Sequence, residues 1–135
     1  MSRGGAGRGG DRRRFTILIV DDEPTVQGLV RFLLVGAGYD VLRARSVHEA
    51  LEAMTAISGP IDLVLIDMEL PGTAEQELAQ QAAARAHPAR VLYMSSLSRE
   101  QRRRSGLADA DVIHKPIEAG ALLERIRAVL GGEGH

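Results

Sequence analysis

Five short apolar runs alternate with five stretches of helical pattern along this chain, and that alternation leaves few folds open. The runs fall at residues 15–20, 39–44, 61–66, 90–94 and 111–114. The first and third, FTILIV and IDLVLI, are nearly continuous in Val, Ile and Leu, which marks strands buried on both faces. A strand followed by a helix, repeated, predicts parallel strands joined by right-handed crossovers, with helices covering both faces of one sheet.

The helical stretches carry their own start and stop signals. Pro24 suits a first turn, Val26, Leu29, Val30, Leu33 and Leu34 recur at helical spacing, and Gly36 and Gly38 supply the stop. Ser46-Val47-His48-Glu49 has the form of a capping box opening a helix with Ala50, Leu51, Met54 and Ile57 on one face, ended by Gly59-Pro60. A third helix over 74–86 has a mostly alanine face, and His87-Pro88 closes it. Ser98-Arg99-Glu100-Gln101 is a second capping-box pattern, but its helix is short and crowded with Arg102, Arg103 and Arg104, so it is expected to be the least firmly packed. After Pro116 a final helix uses Ile117, Leu122, Leu123, Ile126, Val129 and Leu130. The five-unit form of this pattern is the flavodoxin-like doubly wound α/β fold, a (βα)5 unit with strand order 2-1-3-4-5 and a switch point beside strands 1 and 3.

At 135 residues the chain suits one domain, expected over 15–130. With two Phe, two Tyr and no Trp, its core must rest on aliphatic side chains. The absence of cysteine excludes disulfides, thiolate catalysis and cysteine-ligated zinc. Residues 1–14 carry a charge of +4 and the remainder −5, so the Gly- and Arg-rich opening is a different material, predicted to be a disordered tail. A flexible end is expected over 131–135, where GGEGH leaves no room for an output domain. The first apolar run is too short for a signal-peptide core, and none approaches the ~20 residues of a membrane span. A soluble, cytoplasmic protein is expected, without membrane insertion.

Four of the runs stop on residues that handle phosphate or metal: Asp21 and Asp22, Asp67, Ser95, and Lys115, the single lysine among seventeen basic residues. In an open parallel sheet the carboxyl ends of the strands share one edge, so these distant positions can meet there. Three facing carboxylates repel, and a hard divalent cation with oxygen ligands removes that penalty. Asp67 then reads as a nucleophile that accepts a phosphoryl group, with Lys115 and the Ser95 hydroxyl pairing its oxygens. A cis bond at Lys115-Pro116 would turn the ammonium into the pocket. The plain alternatives are helix capping for Asp21 and Asp22 and a turn role for Ser95.

Taken together, ILIVDDEP, DLVLIDMELPG, VLYMSS and VIHKPI resemble the receiver domain of two-component response regulators, over about residues 15–130. VLYMS is similar to receivers of hybrid histidine kinases, and a stand-alone receiver is the leading reading. The resemblance implies that Asp21 and Asp22 form the acidic metal site, and that Asp67 is both phosphoacceptor and metal ligand. It further implies a Glu69 backbone carbonyl on the metal, a switch hydroxyl at Ser95 and the family lysine at Lys115. Mg²⁺ is the implied cofactor, with Mn²⁺ as a substitute, and a histidine kinase or histidine phosphotransfer protein the implied donor. The setting would be bacterial, the chain a monomer or weak dimer, and the activity mainly that of a switch that catalyses its own phosphoryl transfer and dephosphorylation. The Arg-rich fourth helix and the fifth strand are the expected face for a downstream protein, with no direct DNA binding.

Three positions depart from the family pattern. Ala74-Glu75 stands where many receivers have Asp-Gly, Ser96 follows the switch hydroxyl in place of Ala or Gly, and Val112 occupies the position of an aromatic reporter. Two rivals use the same residues. A receiver-like interaction module would keep the site without being phosphorylated in the cell. An aspartate-nucleophile phosphatase would read Asp21-Asp22-Glu23-Pro24-Thr25 as its motif, although the second acid there is normally Asp and the chain has no evident cap. Dinucleotide binding is disfavoured because the first strand runs into DDEP instead of a glycine-rich loop.

Overall fold

The computed structural model describes residues 14–70, 75–104 and 111–131. The expected alternation is present throughout them. In chain order the elements are β1 (Thr16–Val20), α1 (Pro24–Gly36), β2 (Asp40–Ala44), α2 (Val47–Ala56), β3 (Leu63–Asp67), α3 (Glu75–Ala84), β4 (Arg90–Ser95), α4 (Arg99–Arg104), β5 (Val112–His114) and α5 (Ala119–Val129). The strands form one parallel sheet in the order β2-β1-β3-β4-β5, the predicted 2-1-3-4-5 arrangement. The 1–13 part of the predicted tail, the Pro71-Gly72 turn, Ala74 and residues 132–135 lie outside the described residues.

Side chains alternate across a strand, so each strand feeds two cores. Ile17 and Ile19 join Leu63 and Leu65 under α1 and α5, where Val30, Leu34, Leu122 and Ile126 meet them. Leu18 and Val20 join Val64 and Ile66 under α2 and α3, with Ala50, Met54, Leu78 and Ala82. β3 is buried along its whole length, as a central parallel strand must be. The apolar face of α3 is small, and Leu78 and Ala82 are its fully buried members in this core.

Both serines cap their helices, but only the Ser98 box is reciprocal, since the Glu49 carboxylate accepts from the Arg45 N–H at 2.8 Å and not from that of Ser46. Ser46 Oγ accepts from the Glu49 N–H at 3.1 Å, Ser98 Oγ accepts from the Gln101 N–H at 3.1 Å, and Gln101 Oε1 returns a bond to the Ser98 N–H at 2.8 Å. Gly36 ends α1 and Gly38 takes φ +98°, so these glycines terminate a helix and cradle no phosphate. β3 begins later and ends later than its apolar run suggests. The Asp62 carboxylate takes the Thr16 N–H at 2.8 Å, and the Met68 N–H donates to the Met94 carbonyl at 2.9 Å, which carries the ladder through Asp67.

Candidate functional site

All five strands point their carboxyl ends to one edge, and the residues singled out by sequence gather there. Asp21 follows β1, Asp67 closes β3, Ser95 closes β4 and Lys115 follows β5. One carboxylate oxygen each from Asp21, Asp22 and Asp67 lies within 4.8 Å of the other two.

Asp21 is fully buried and divides its work between two oxygens. Oδ1 accepts from the Glu23 N–H at 2.8 Å, which serves the entry to α1, while Oδ2 has no hydrogen-bond partner and stands 3.7 Å from Lys115 Nζ. The N-cap position itself is Glu23, which makes no side-chain cap bond, so Asp21 shapes the turn before α1 and does not cap the helix as the plain alternative expects. Burial pushes its carboxyl up to about 6; the Glu23 N–H and Lys115 oppose that rise, and the charges of Asp67 and Asp22 add to it. Asp22 is exposed, which leaves the acidic cluster open to solvent on one side.

Asp67 is 3% exposed, and its Oδ1 accepts from the Glu69 N–H at 2.9 Å and from Lys115 Nζ at 2.9 Å. The Lys115–Pro116 bond is cis, and the ammonium lies in the pocket. Burial works against the charged lysine, yet the hydrogen bond and charge of Asp67, with the charges of Asp21 and Glu69, outweigh it and raise its pKa. Ser95 is fully buried; its Oγ accepts from the Leu97 N–H at 3.0 Å and donates to Glu69 Oε2 at 3.3 Å.

Two contributions escaped the sequence reading. Gln27 Nε2 donates to the carbonyls of Asp21 and Ala44, at 2.8 and 2.9 Å, and so clamps the ends of β1 and β2 together beneath the acids. Its position on the buried stripe of α1, three residues before Val30 and seven before Leu34, is the signal that reveals it, since an amide there needs buried partners. The second is the side chain of Glu69, for which only a backbone role was expected. It reaches into the pocket toward Ser95 and Lys115.

The acidic trio fits a hard divalent cation: the donors are all carboxylate oxygens, one buried oxygen lacks a hydrogen bond, and the open side admits water ligands. Glu23, which the phosphatase motif would need as its second acid, stands outside this trio. Val112 is buried, so an apolar side chain fills the place of an aromatic reporter.

A parallel sheet of this order, with acids at the switch point and a lysine at the end of the fifth strand, defines the receiver class. A family model for the response regulator receiver domain matches residues 17–127, and the chain belongs to that family, the receivers of two-component signalling. It is 35% identical over 124 residues to the phosphate regulon transcriptional regulatory protein PhoB of Pseudomonas aeruginosa, covering 88% of this chain and 53% of that protein. It is 33% identical over 117 residues to the regulatory protein VanR of Enterococcus faecium, covering 84% and 49%. The chain thus spans about half the length of these relatives. Among solved structures, the receiver domain of the hybrid histidine kinase CckA aligns with a TM-score of 0.68 and 31% identity, covering 85% of this chain and 98% of that one. The chemotaxis response regulator CheY4 of Vibrio cholerae aligns at 0.72 with 20% identity over 87% and 99%, a likeness of fold. Receiver domains in general bind Mg²⁺ at an aspartate cluster and accept phosphoryl groups from histidine kinases. No helix among the described residues is long and apolar enough to cross a membrane.

Proposed function

We propose that this chain is a phosphoacceptor whose Asp67 takes a phosphoryl group from a phosphohistidine of a histidine kinase or phosphotransfer protein. The observation that carries this reading is the contact of Lys115 Nζ with Asp67 Oδ1 at 2.9 Å, inside a cluster that also holds Asp21 and Asp22. A carboxylate oxygen of Asp67 attacks phosphorus, the P–N bond of the donor breaks, and the departing imidazole nitrogen takes a proton from water. Lys115 offers its ammonium, and Ser95 its hydroxyl, to the transferred oxygens. Asp21, Asp22, Asp67 and the Glu69 carbonyl would hold magnesium, or manganese in its place, which supplies charge neutralisation for an anionic donor approaching an anionic pocket.

The change would be read at α4 and β5 by a downstream protein. Leu97 supports that direction: its N–H donates to Ser95 Oγ at 3.0 Å and its carbonyl accepts from Arg102 Nη1 of α4 at 2.7 Å. A shift of the Ser95 hydroxyl toward a phosphoryl oxygen therefore pulls on the turn that carries α4. This path does not need a ring at position 112. Incubation with acetyl phosphate and Mg²⁺, followed by intact mass measurement, tests the reading. One phosphoryl group per chain is expected, absent from Asp67→Asn and absent after chelation of the metal. Equal labelling of Asp67→Asn would refute it.

A further inference from the structure

The donors that would hold a phosphoryl group already hold an anion belonging to the chain itself. Ser95 Oγ donates to Glu69 Oε2 at 3.3 Å, the Ser96 N–H donates to the same oxygen at 3.3 Å, and Lys115 Nζ stands 3.5 Å from Glu69 Oε1. A hydroxyl, a backbone amide and an ammonium thus converge on one carboxylate. Two oxygens sharing a negative charge present nearly the same face as two oxygens of a phosphoryl group; the hydroxyl and the amide, with one proton each, serve one anion at a time, while the ammonium can turn to either. The backbone of Glu69 is pinned beside the acceptor by its N–H bond to Asp67 Oδ1 at 2.9 Å, which keeps the side chain within reach.

We infer that the Glu69 carboxylate is an internal occupant of the phosphoryl cradle, a latch that must swing out before Asp67 can be charged. This inference rests on the phosphoacceptor reading given above. The latch is weak by construction. Charge-assisted bonds run at about 2.7–2.9 Å, and the contacts to Glu69 are longer. Its side chain is 38% exposed, so water can receive the released carboxylate. While closed, the latch fastens the turn after β4 by way of Ser95 and Ser96; opening it frees the segment that leads into α4. One side chain therefore sets both the ease of charging and the resting position of the output segment.

Removing a latch that is closed nine-tenths of the time raises apparent donor affinity about tenfold. Glu69→Ala should accordingly be labelled by acetyl phosphate about tenfold faster than the parent chain at low donor concentration, with Glu69→Gln between the two. A second readout uses the metal-free, unphosphorylated protein: the Ser96 amide proton should exchange faster and shift upfield in both variants. Unchanged Ser96 signals, or labelling of Glu69→Ala no faster than the parent, would overturn the inference while Asp67 labelling of the parent still stood. Loss of labelling in the parent and both variants would instead bring down the phosphoacceptor reading, and this one with it.

Discussion

The acid pocket and α4 lie on one sheet and are held by different forces. Beneath the pocket run β1 and β3, whose side chains fill both apolar cores, and the Gln27 amide fixes the backbone on which Asp21 sits. α4 is six residues long, buries only Arg102, and adds no side chain to either core. Its anchorage is polar: the Ser98–Gln101 box, the Arg102 bond to Leu97, and a 3.4 Å approach of Arg102 Nη1 to His114 Nδ1. β5, beside it, has three residues. Segments with few buried apolar contacts open at lower free energy than core strands. The switching role proposed above would gain from that contrast, because an acceptor must keep its geometry while a responding surface must be able to move.

Four measurements can break or sharpen the contrast. The largest effect should come from Leu65→Ala on β3, which removes a fully buried side chain from the core beneath α1 and α5 and should cost about 3 kcal/mol in urea unfolding. A loss under about 1 kcal/mol would mean that the pocket's foundation is far less tightly packed than its burial indicates. Next comes pH. The fold raises the Asp21 carboxyl from 3.8 to about 6, so the protonated form is the favoured one and its stabilisation is fully present only below the unfolded value. That contribution is lost as pH climbs through about 6, by on the order of 3 kcal/mol. Metal-free protein should therefore lose stability between about pH 4 and 7 relative to Asp21→Asn, and added Mg²⁺ should restore it at neutral pH. Parallel curves for the two proteins would show that Asp21 titrates normally.

The smallest effect belongs to α4. Arg102→Ala should lower global stability by only about 1 kcal/mol, yet hydrogen exchange across residues 99–104 should quicken selectively. The neighbouring Glu100–Arg104 pair is exposed at both ends, and Glu100→Ala should change stability by less than about 0.5 kcal/mol. If Arg102→Ala loosened β3 as much as α4, the division between a firm pocket and a soft face would be wrong.

Sequence revealed the strand ends well because the physics there is local. An apolar run that stops on Asp21, Asp67, Ser95 or Lys115 announces both the strand and the edge where it ends, and parallel connection does the gathering. Ser46 and Ser98 were legible for the same reason, since a cap and its partner lie three positions apart. Reach was harder to read. Arg85, just past the end of α3, reaches the carbonyls of Ile57 and Gly59 beyond α2, at 3.3 and 2.8 Å, and nothing in its immediate neighbours foretells that docking. For Glu69 the resemblance implies only a backbone task, because the direction of its side chain depends on Ser95, twenty-six positions away. Gln27 lay in plain view on an apolar stripe, and periodicity alone gave a polar residue there no weight.

That clamp by Gln27 has a consequence for how the molecule would take up an ion. An amide that ties two chain turns together from below leaves them in register before any cation arrives, so capture calls for shedding hydration water and little rearrangement of protein. Calorimetry of loading should then record almost no change in heat capacity, because scarcely any oily surface is covered or uncovered in the event.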